Sequence, residues 1–300
     1  MSATTEDQRE TMARDVAAGA PMEDISTTNL ATSMTTGRTR GRIAKRHVRQ
    51  ILWTCIPPVV FVVLIAAWAG AVEFFDIPSY LLPAPGDVFA RMFTDAESLW
   101  NHTLATLGAL AIGFILSVLI GIPLGLLLSL SRVARQVLYP PTVVMQLIPK
   151  IAMAPLLLVW LGFGIETKVM LVVLISFFPL LLASMTGFSI MDDRLLHLTK
   201  SMGATGWQTF WFLRVPAAMP VIFSGLKTTA TMAVTAVIVA EFLGSNNGLG
   251  YALLRASGVL DTEYMFAVIV VMTVVGVVLN YIIEAVEWFV TPWQRHGKRG

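Results

Sequence analysis

Charged side chains are rare inside the long apolar runs of this chain, and a few of them stand where they could act on a solute. Lys150 follows Pro149 in the third apolar run, and Lys227 and Glu241 stand 14 residues apart in the fifth. A charge within a membrane is costly unless it faces water or a partner, so such residues commonly mark solute routes. Lys150 could therefore attract an anionic solute, and Glu241 could line the same route.

These residues also have a structural interpretation. Lys150 lies about 13 residues, roughly 20 Å, into a helix over 137–161, but its ammonium could snorkel to the surface if that helix began at Pro149. Lys227 and Glu241 could simply mark the two ends of their helix. A polar stripe on another side of this helix could line the route, or it could bond back to its own backbone. The stripe consists of Thr228, Thr231 and Thr235.

No pattern for bond-making chemistry is present in the sequence. The four histidines have no metal-ligand spacing, and no nucleophile stands beside a base in the apolar runs. A phosphate-binding loop of the Gly-x-x-x-x-Gly-Lys-Ser/Thr type is also missing, so we do not expect this chain to bind ATP itself. The sequence predicts no catalytic residue, no metal and no cofactor, which makes an intramembrane enzyme the least favoured class.

The composition is that of an integral membrane protein. Apolar residues make up 56% of the 300 residues, charged residues make up 13%, and the mean hydropathy is +0.72, whereas soluble domains have about 25% charged residues. The formal net charge of +2 is too small to indicate nucleic acid. Because the basic residues lie beside apolar runs, at the surface of the membrane lipid, the excess of Lys and Arg on the cytoplasmic side of membrane proteins explains them.

Six apolar runs are long enough to cross a bilayer. They are approximately 51–72, 103–130, 137–161, 168–190, 218–243 and 265–290. Residues 1–50 precede them as a cytoplasmic tail, which is polar and predicted to be disordered up to about residue 37 and then becomes a block of Arg and Lys. We predict that run 51–72 is a retained anchor because it is longer than the apolar region of a signal peptide, although a cleaved signal peptide is the alternative.

The charges between the runs predict the orientation. Lys and Arg are concentrated before the first run, in alternate connections and after the last run. Because cytoplasmic loops carry the excess of Lys and Arg, the sequence predicts an all-α protein with six transmembrane helices and both termini in the cytoplasm. The predicted location is the cell membrane, with residues 51–295 forming the transmembrane domain.

The predicted cytoplasmic segment 191–216, between the fourth and fifth runs, contains residues that typically end and start helices, which indicates a folded segment. Gly203 offers a helix stop, and Thr205 with Gln208 is typical of a capping box that restarts a helix. We expect Pro216 to end this second helix. The segment is either an amphipathic helix in the lipid headgroups or a projection that binds a cytoplasmic partner. Its apolar cluster at helical spacing is Trp207, Phe210 and Trp211.

This segment resembles the EAA loop of the membrane subunits of binding-protein-dependent ABC importers. In that family Glu-Ala-Ala is followed by three residues, Gly, nine residues and Ile-x-Leu-Pro. Here Gly203 is followed by nine residues and Leu-Arg-Val-Pro ending at Pro216, whereas His-Leu-Thr beginning at His197 replaces Glu-Ala-Ala. Tyr-Leu-Leu-Pro-Ala-Pro at 80–85, Pro-Lys-Ile-Ala at 149–152, and Val-Ala-Glu with Gly-Leu-Gly-Tyr within 239–251 resemble the branch that handles nitrate, sulfonates, taurine and a thiamine pyrimidine precursor.

The resemblance implies a permease subunit for a small anionic or heterocyclic solute. It implies a pore formed by two copies of the chain, cytoplasmic ATPase subunits bound to the loops, an external binding protein, and alternating access driven by the ATPases. A self-sufficient secondary carrier or channel is the alternative, although no internal inverted repeat supports a carrier. The residues that the resemblance assigns to ATPase coupling are His197, Lys200, Gly203, Ala204, Thr205, Trp207, Phe210, Trp211 and Pro216.

Overall fold

The computed structural model describes residues 59–293, the side chains at positions 132, 193 and 196 excepted. Over this range the chain is helical and has no β-strand. The chain divides into two compact units, residues 1–67 and 68–300, of which the first is described only from residue 59. The predicted disordered and basic segment 1–50 lies outside the described residues, as does the first part of run 51–72.

The described helices are numbered here in chain order. They are α1 (Val59–Phe74), α2 (Pro85–Thr94), α3 (Ala96–Leu130), α4 (Arg132–Leu147), α5 (Ala154–Leu161), α6 (Ile165–Ser189), α7 (Asp193–Ser201), α8 (Gly206–Thr209), α9 (Val215–Gly244), α10 (Leu249–Gly258) and α11 (Thr262–Val290). A 3-10 turn, Lys150–Met153, precedes α5, and a π-helical turn, Phe210–Arg214, joins α8 to α9.

Four helices of the described range are long and apolar enough to cross a membrane: α3, α6, the continuous helix Gly206–Gly244, and α11. Each covers one of the predicted runs, although α6 ends one residue before the run 168–190 does. The pair Val133–Leu147 and Lys150–Leu161 would make a fifth span if the two helices cross together. The all-helical membrane class is confirmed, whereas the number of six spans and the cytoplasmic side of the termini stay predictions.

The prediction of one helix over 137–161 was wrong, because the two helices of this pair are bent by 81°. Ile148, at the break, has an extended backbone with ψ 129°. It precedes Pro149, whose ring disfavours the helical conformation of the preceding residue. Lys150 therefore begins the 3-10 turn at the bend and does not lie roughly 20 Å down a straight helix.

The predicted end of the loop helix at Pro216 was also wrong. The helix continues without a break from Gly206 to Gly244. A proline inside a helix has no N–H to donate, and its ring clashes with the preceding turn. The π turn just before Pro216, in which the N–H of Val215 donates to the carbonyl of Phe210, widens the helix and accommodates the proline. The loop is thus the end of the same helix that crosses the membrane.

Small residues bring α3, α6 and α9 into close contact. A Cβ added to Gly125 of α3 would lie 2.5 Å from the Cβ of Ser184 on α6, and a Cβ added to Gly225 of α9 would clash with Ala183, also on α6. Lipid tails are as apolar as the helices, so the hydrophobic effect does not hold helices together within a bilayer. Close approach stabilises their association through van der Waals contacts instead. Gly121 and Gly125 of α3 are both buried, and a Cβ at either position would contact α6.

Candidate functional site

The loop between α6 and α9 is a short helix, a glycine turn and a capped helix start. The side chain of Asp192 accepts the N–H of Arg194 at 2.9 Å and caps α7. Gly203 ends that helix with φ +79°, a conformation that favours glycine. The capping box predicted for the next helix is confirmed: Thr205 Oγ1 accepts the N–H of Gln208 at 3.3 Å, and Gln208 Oε1 accepts the N–H of Thr205 at 2.9 Å.

The aromatic cluster packs against α6 on one side and is exposed on the other. Phe210 is half-buried, with its ring stacked on Phe188 of α6 at 6.4 Å and on Trp207 at 6.3 Å. Trp211 meets Phe210 edge-on at 5.5 Å. Trp207 remains 71% exposed, and Met202 of the same loop is also exposed. An exposed apolar surface of this kind is typical of a contact site for a protein or a membrane surface.

A cavity of about 660 Å³ separates this loop from the end of α3. The loop residues in its wall include four of those assigned to coupling, whereas His197 and Gly203 are exposed on the loop and are not part of the wall. The full lining is Leu126, Leu130, Lys200, Ala204, Gly206, Trp207, Thr209, Phe210 and Arg214. Lys200 and Ala204 therefore line the same cavity as Trp207 and Phe210 of the aromatic cluster, and the coupling role of these residues stays a prediction.

Glu241 lies at the opposite end of the same helix, and its side chain is fully buried. The hydroxyl of Thr106 on α3 donates to its two carboxylate oxygens at 2.9 and 3.0 Å, and the N–H of Gly250 donates to it at 2.8 Å. The ammonium of Lys168 on α6 lies 3.7 Å away. Because these groups surround the carboxylate, Glu241 is tied to two neighbouring helices and to the start of α10.

Lys168 extends this polar network to the segment 245–248. Its ammonium donates to Asn247 Oδ1 at 2.7 Å and to the carbonyl oxygen of Asn247 at 3.1 Å. The N–H of Gly248 donates to His102 Nδ1 at 3.2 Å. Gly248 has φ +106°, and a Cβ there would clash with the Glu241 carboxylate, so only glycine suits this position. Sequence analysis did not find this network, although Lys168 was visible as a lone cation at the start of an apolar run.

The three threonines of the predicted polar stripe on α9 do not all line the same groove. Thr231 and Thr235 line a groove of about 580 Å³ between α9 and α11, whereas Thr228 is exposed outside it. All three hydroxyls donate to the carbonyl four residues earlier, at 3.1 to 3.2 Å. The polar residues that α11 adds to the groove were not predicted from the sequence. They are Thr273, Asn280, Tyr281 and Glu284.

The candidate route residues occupy three separate places within one chain. Lys150, at the bend after α4, has its ammonium 5.0 Å above the ring of Phe178 and 3.3 Å from the carbonyl of Gln146. Glu241 is in the buried network, and the threonines are at the groove. Lys227 does not share the environment of Glu241, because its ammonium pairs with Glu287 of α11 at 2.6 Å. The role of these residues in a solute route stays a prediction.

The sequence of residues 118–292 matches a family described as the inner membrane component of binding-protein-dependent transport systems. This chain belongs to that family. As a member, it is a multi-pass protein of the cytoplasmic membrane and a permease subunit of the ABC type, which agrees with its apolar helices. The relatives of this permease are transport proteins and not enzymes.

Relatives and a solved structure support the same assignment. The permease is 34% identical over 240 residues to the formylaminopyrimidine transport permease protein ThiX of Halalkalibacterium halodurans, covering 80% of this chain and 96% of that protein. It is 27% identical over 268 residues to the taurine transport system permease protein TauC of Escherichia coli, covering 85% and 97%. Its fold is similar to a chain of the MetNI methionine ABC transporter in an inward-facing conformation, with a TM-score of 0.54, 20% identity and coverage of 67% and 98%.

Proposed function

We propose that this permease forms the translocation route of an ABC importer and couples it to a separate ATPase through the loop 191–216. The observation that carries the proposal is the continuous helix Gly206–Gly244, whose loop end presents Trp207. The capping box and the stacking of Phe210 on α6 hold this end in a defined shape before a partner binds. A preorganised projection loses less conformational entropy on binding than a flexible one.

The fold provides a path for the coupled movement. When the ATPase subunits close on ATP, they displace the loop and with it the rest of the helix to which the loop belongs. The close contacts of α9 with α6, and of α6 with α3, require these helices to move together. At the far end, the hydrogen bonds of Glu241 to α3 and α10 hold the same helices in register. The result is a unit that switches the route between inward and outward access.

The complete importer contains two copies of this chain, cytoplasmic ATPase subunits and an external solute-binding protein. Thr231 and Thr235 line the route, because an exposed polar face on membrane helices must meet water or another polar surface. The solute is small, of the anionic or heterocyclic classes, as the named cargoes of the relatives indicate. Hydrolysis of ATP takes place in the partner chain.

Replacing Trp207 by aspartate is expected to separate the permease from its ATPase. A charged side chain in place of an exposed indole cannot fill an apolar groove of the partner, and losing a central aromatic contact costs at least about 2 kcal/mol of binding, or roughly thirtyfold in affinity. Because Trp207 is 71% exposed, the fold of the permease should be unaffected. Copurification of the ATPase from membranes and solute-stimulated ATP hydrolysis measure the effect.

The matched control is Trp100→Asp, which changes a tryptophan of 61% exposure at the other end of the bundle. ATPase copurification with this variant should equal that of the unchanged chain. Equal loss in both variants, or none in Trp207→Asp, would contradict the proposed contact. Full transport by this chain alone in liposomes would instead support a self-sufficient carrier or channel.

A further inference from the structure

We propose that the groove between α9 and α11 selects a neutral or cationic solute that is rich in N–H donors, of the aminopyrimidine type, and disfavours anions. The inference rests on the proposed function, because it concerns the solute that the route admits. The groove holds about 580 Å³, within the range of roughly 300–1,000 Å³ that is usual for small-molecule sites. Its occupant is therefore a compact molecule.

Most hydrogen-bond donors of the groove are engaged within their own helices; the hydroxyl of Tyr281 and the second N–H of the Asn280 amide can still donate. The hydroxyls of Thr231, Thr235 and Thr273 donate to carbonyls four residues earlier, at 3.2, 3.1 and 2.8 Å. Asn280 Nδ2 donates to the carbonyl of Gly276 at 3.0 Å. Acceptors therefore predominate in what the groove offers a solute: the lone pairs of the threonine hydroxyls and the amide oxygen of Asn280. A solute with N–H groups matches these acceptors.

The charge of the groove agrees with its hydrogen-bonding pattern. Glu284 lines it and takes part in none of the ion pairs formed by the described residues. The nearest cation along α9, Lys227, is paired with Glu287 at 2.6 Å, which neutralises both. Lys150 lies at the separate bend between α4 and α5. An uncompensated carboxylate attracts a cation or a polar N–H group and repels an anion.

The walls of the groove also suit a planar ring. Val234 and Ile238 of α9 and Met272 of α11 supply apolar surface between the polar side chains. Sites for small heterocycles combine such apolar walls with a few placed polar groups. The polar face is exposed in the chain although it lies on membrane helices, so it must meet water or a second protein surface. The proposal requires water at this face.

Charge-selective modification of one cysteine tests the accessibility and the sign of the potential. Cys55 is the single cysteine of the chain, so the Cys55→Ser variant has no thiol that could react. Thr235→Cys is introduced into this variant. The assembled importer in membrane vesicles is treated with 2-(trimethylammonium)ethyl and 2-sulfonatoethyl methanethiosulfonate, and each rate is divided by that of the same reagent with 2-mercaptoethanol. We expect the cationic reagent to react about tenfold faster on this scale.

The charge dependence must come from Glu284. Adding Glu284→Gln should bring the ratio of the two normalised rates close to one. Val278→Cys, an exposed position of α11 in an apolar groove, should react with neither reagent and is the matched control. A faster normalised rate for the anionic reagent, equal rates, or no reaction at Thr235→Cys would each overturn the proposal.

Protection of the cysteine by added solutes tests the chemical class of the solute directly. Millimolar 4-aminopyrimidine should slow modification of Thr235→Cys, and methanesulfonate at the same concentration should not. Protection by methanesulfonate alone, or by neither, would overturn the proposed selectivity. Nucleotide-dependent ATPase activity of the same vesicles, measured before modification, reports on the proposed function separately. An importer that hydrolyses ATP normally and fails the protection test would refute the inference about the groove alone.

Discussion

Replacing Lys168 by methionine is expected to destabilise the permease by about 3–5 kcal/mol, the usual cost of removing one partner from a buried ion pair. The side chain of Glu241 is 0% exposed and that of Lys168 is 7% exposed, so water cannot replace the lost charge. The substitution also removes the two hydrogen bonds to Asn247 that fix the segment 245–248. Thermal unfolding of the purified permease, followed by tryptophan fluorescence, measures the loss.

A double-mutant cycle separates the ion pair from the other contacts of the network. Lys168→Met with Glu241→Met should be less destabilising than the sum of the two single changes by at least about 1–2 kcal/mol, because no unpaired charge stays buried. The matched control is Lys227→Met. Its pair with Glu287 is 37% and 21% exposed, and its loss should cost no more than about 1 kcal/mol. Additive single changes, or an equal cost for Lys227→Met, would show that the buried pair has no special role.

Replacing Gly125 by alanine is expected to disrupt the contact of α3 with α6. The added methyl would lie 2.5 Å from the Cβ of Ser184, 2.8 Å from the carbonyl oxygen of Leu181 and 2.9 Å from the backbone nitrogen of Met185. Backbone atoms of a helix cannot turn aside as a flexible side chain can, so the two helices must separate. Overpacking of this kind costs about 1–3 kcal/mol or more. The yield of monodisperse protein and its unfolding temperature report the change.

Gly108→Ala is the matched control for Gly125→Ala, because both glycines lie within α3. A Cβ at Gly108 meets no atom within 4 Å beyond the backbone of its own turns of helix. Since alanine is a better helix former than glycine, this change should stabilise the helix by about 0.5–1 kcal/mol. The two substitutions are chemically identical and differ only in their surroundings. If both had the same effect on stability, close packing of α3 on α6 would not be the reason for Gly125.

Features encoded by neighbouring residues were predictable. Apolar runs identified the membrane class. Polar and charged groups are costly at every position of a span, so the whole run must be apolar. The capping box at Thr205 and the stop at Gly203 were also predictable, since each depends on backbone groups a few residues away. The family resemblance came from the same loop and from short motifs elsewhere in the chain. The family match over residues 118–292 confirms this resemblance.

Two local predictions failed where a proline had more than one structural outcome. Pro149 produced a bend of 81° where a continuous helix was expected, and Pro216 left a helix intact where an end was expected. The difference lies in the turn before each proline. An extended residue precedes Pro149, whereas a π turn widens the helix before Pro216. The clash of a proline ring with the preceding turn is certain from the sequence, but how the chain relieves it depends on the surrounding helices.

The sequence by itself determined that this chain is a helical membrane protein, that its fourth and fifth runs are joined by a folded loop, and that it belongs with the permeases. Only the tertiary structure decided which polar groups meet. Lys168 and Glu241 are 73 positions apart in the sequence, and Thr231 faces Glu284 across a groove between separate helices. Hydropathy and capping act along the chain, whereas a buried charge takes its partner from the helices that pack around it.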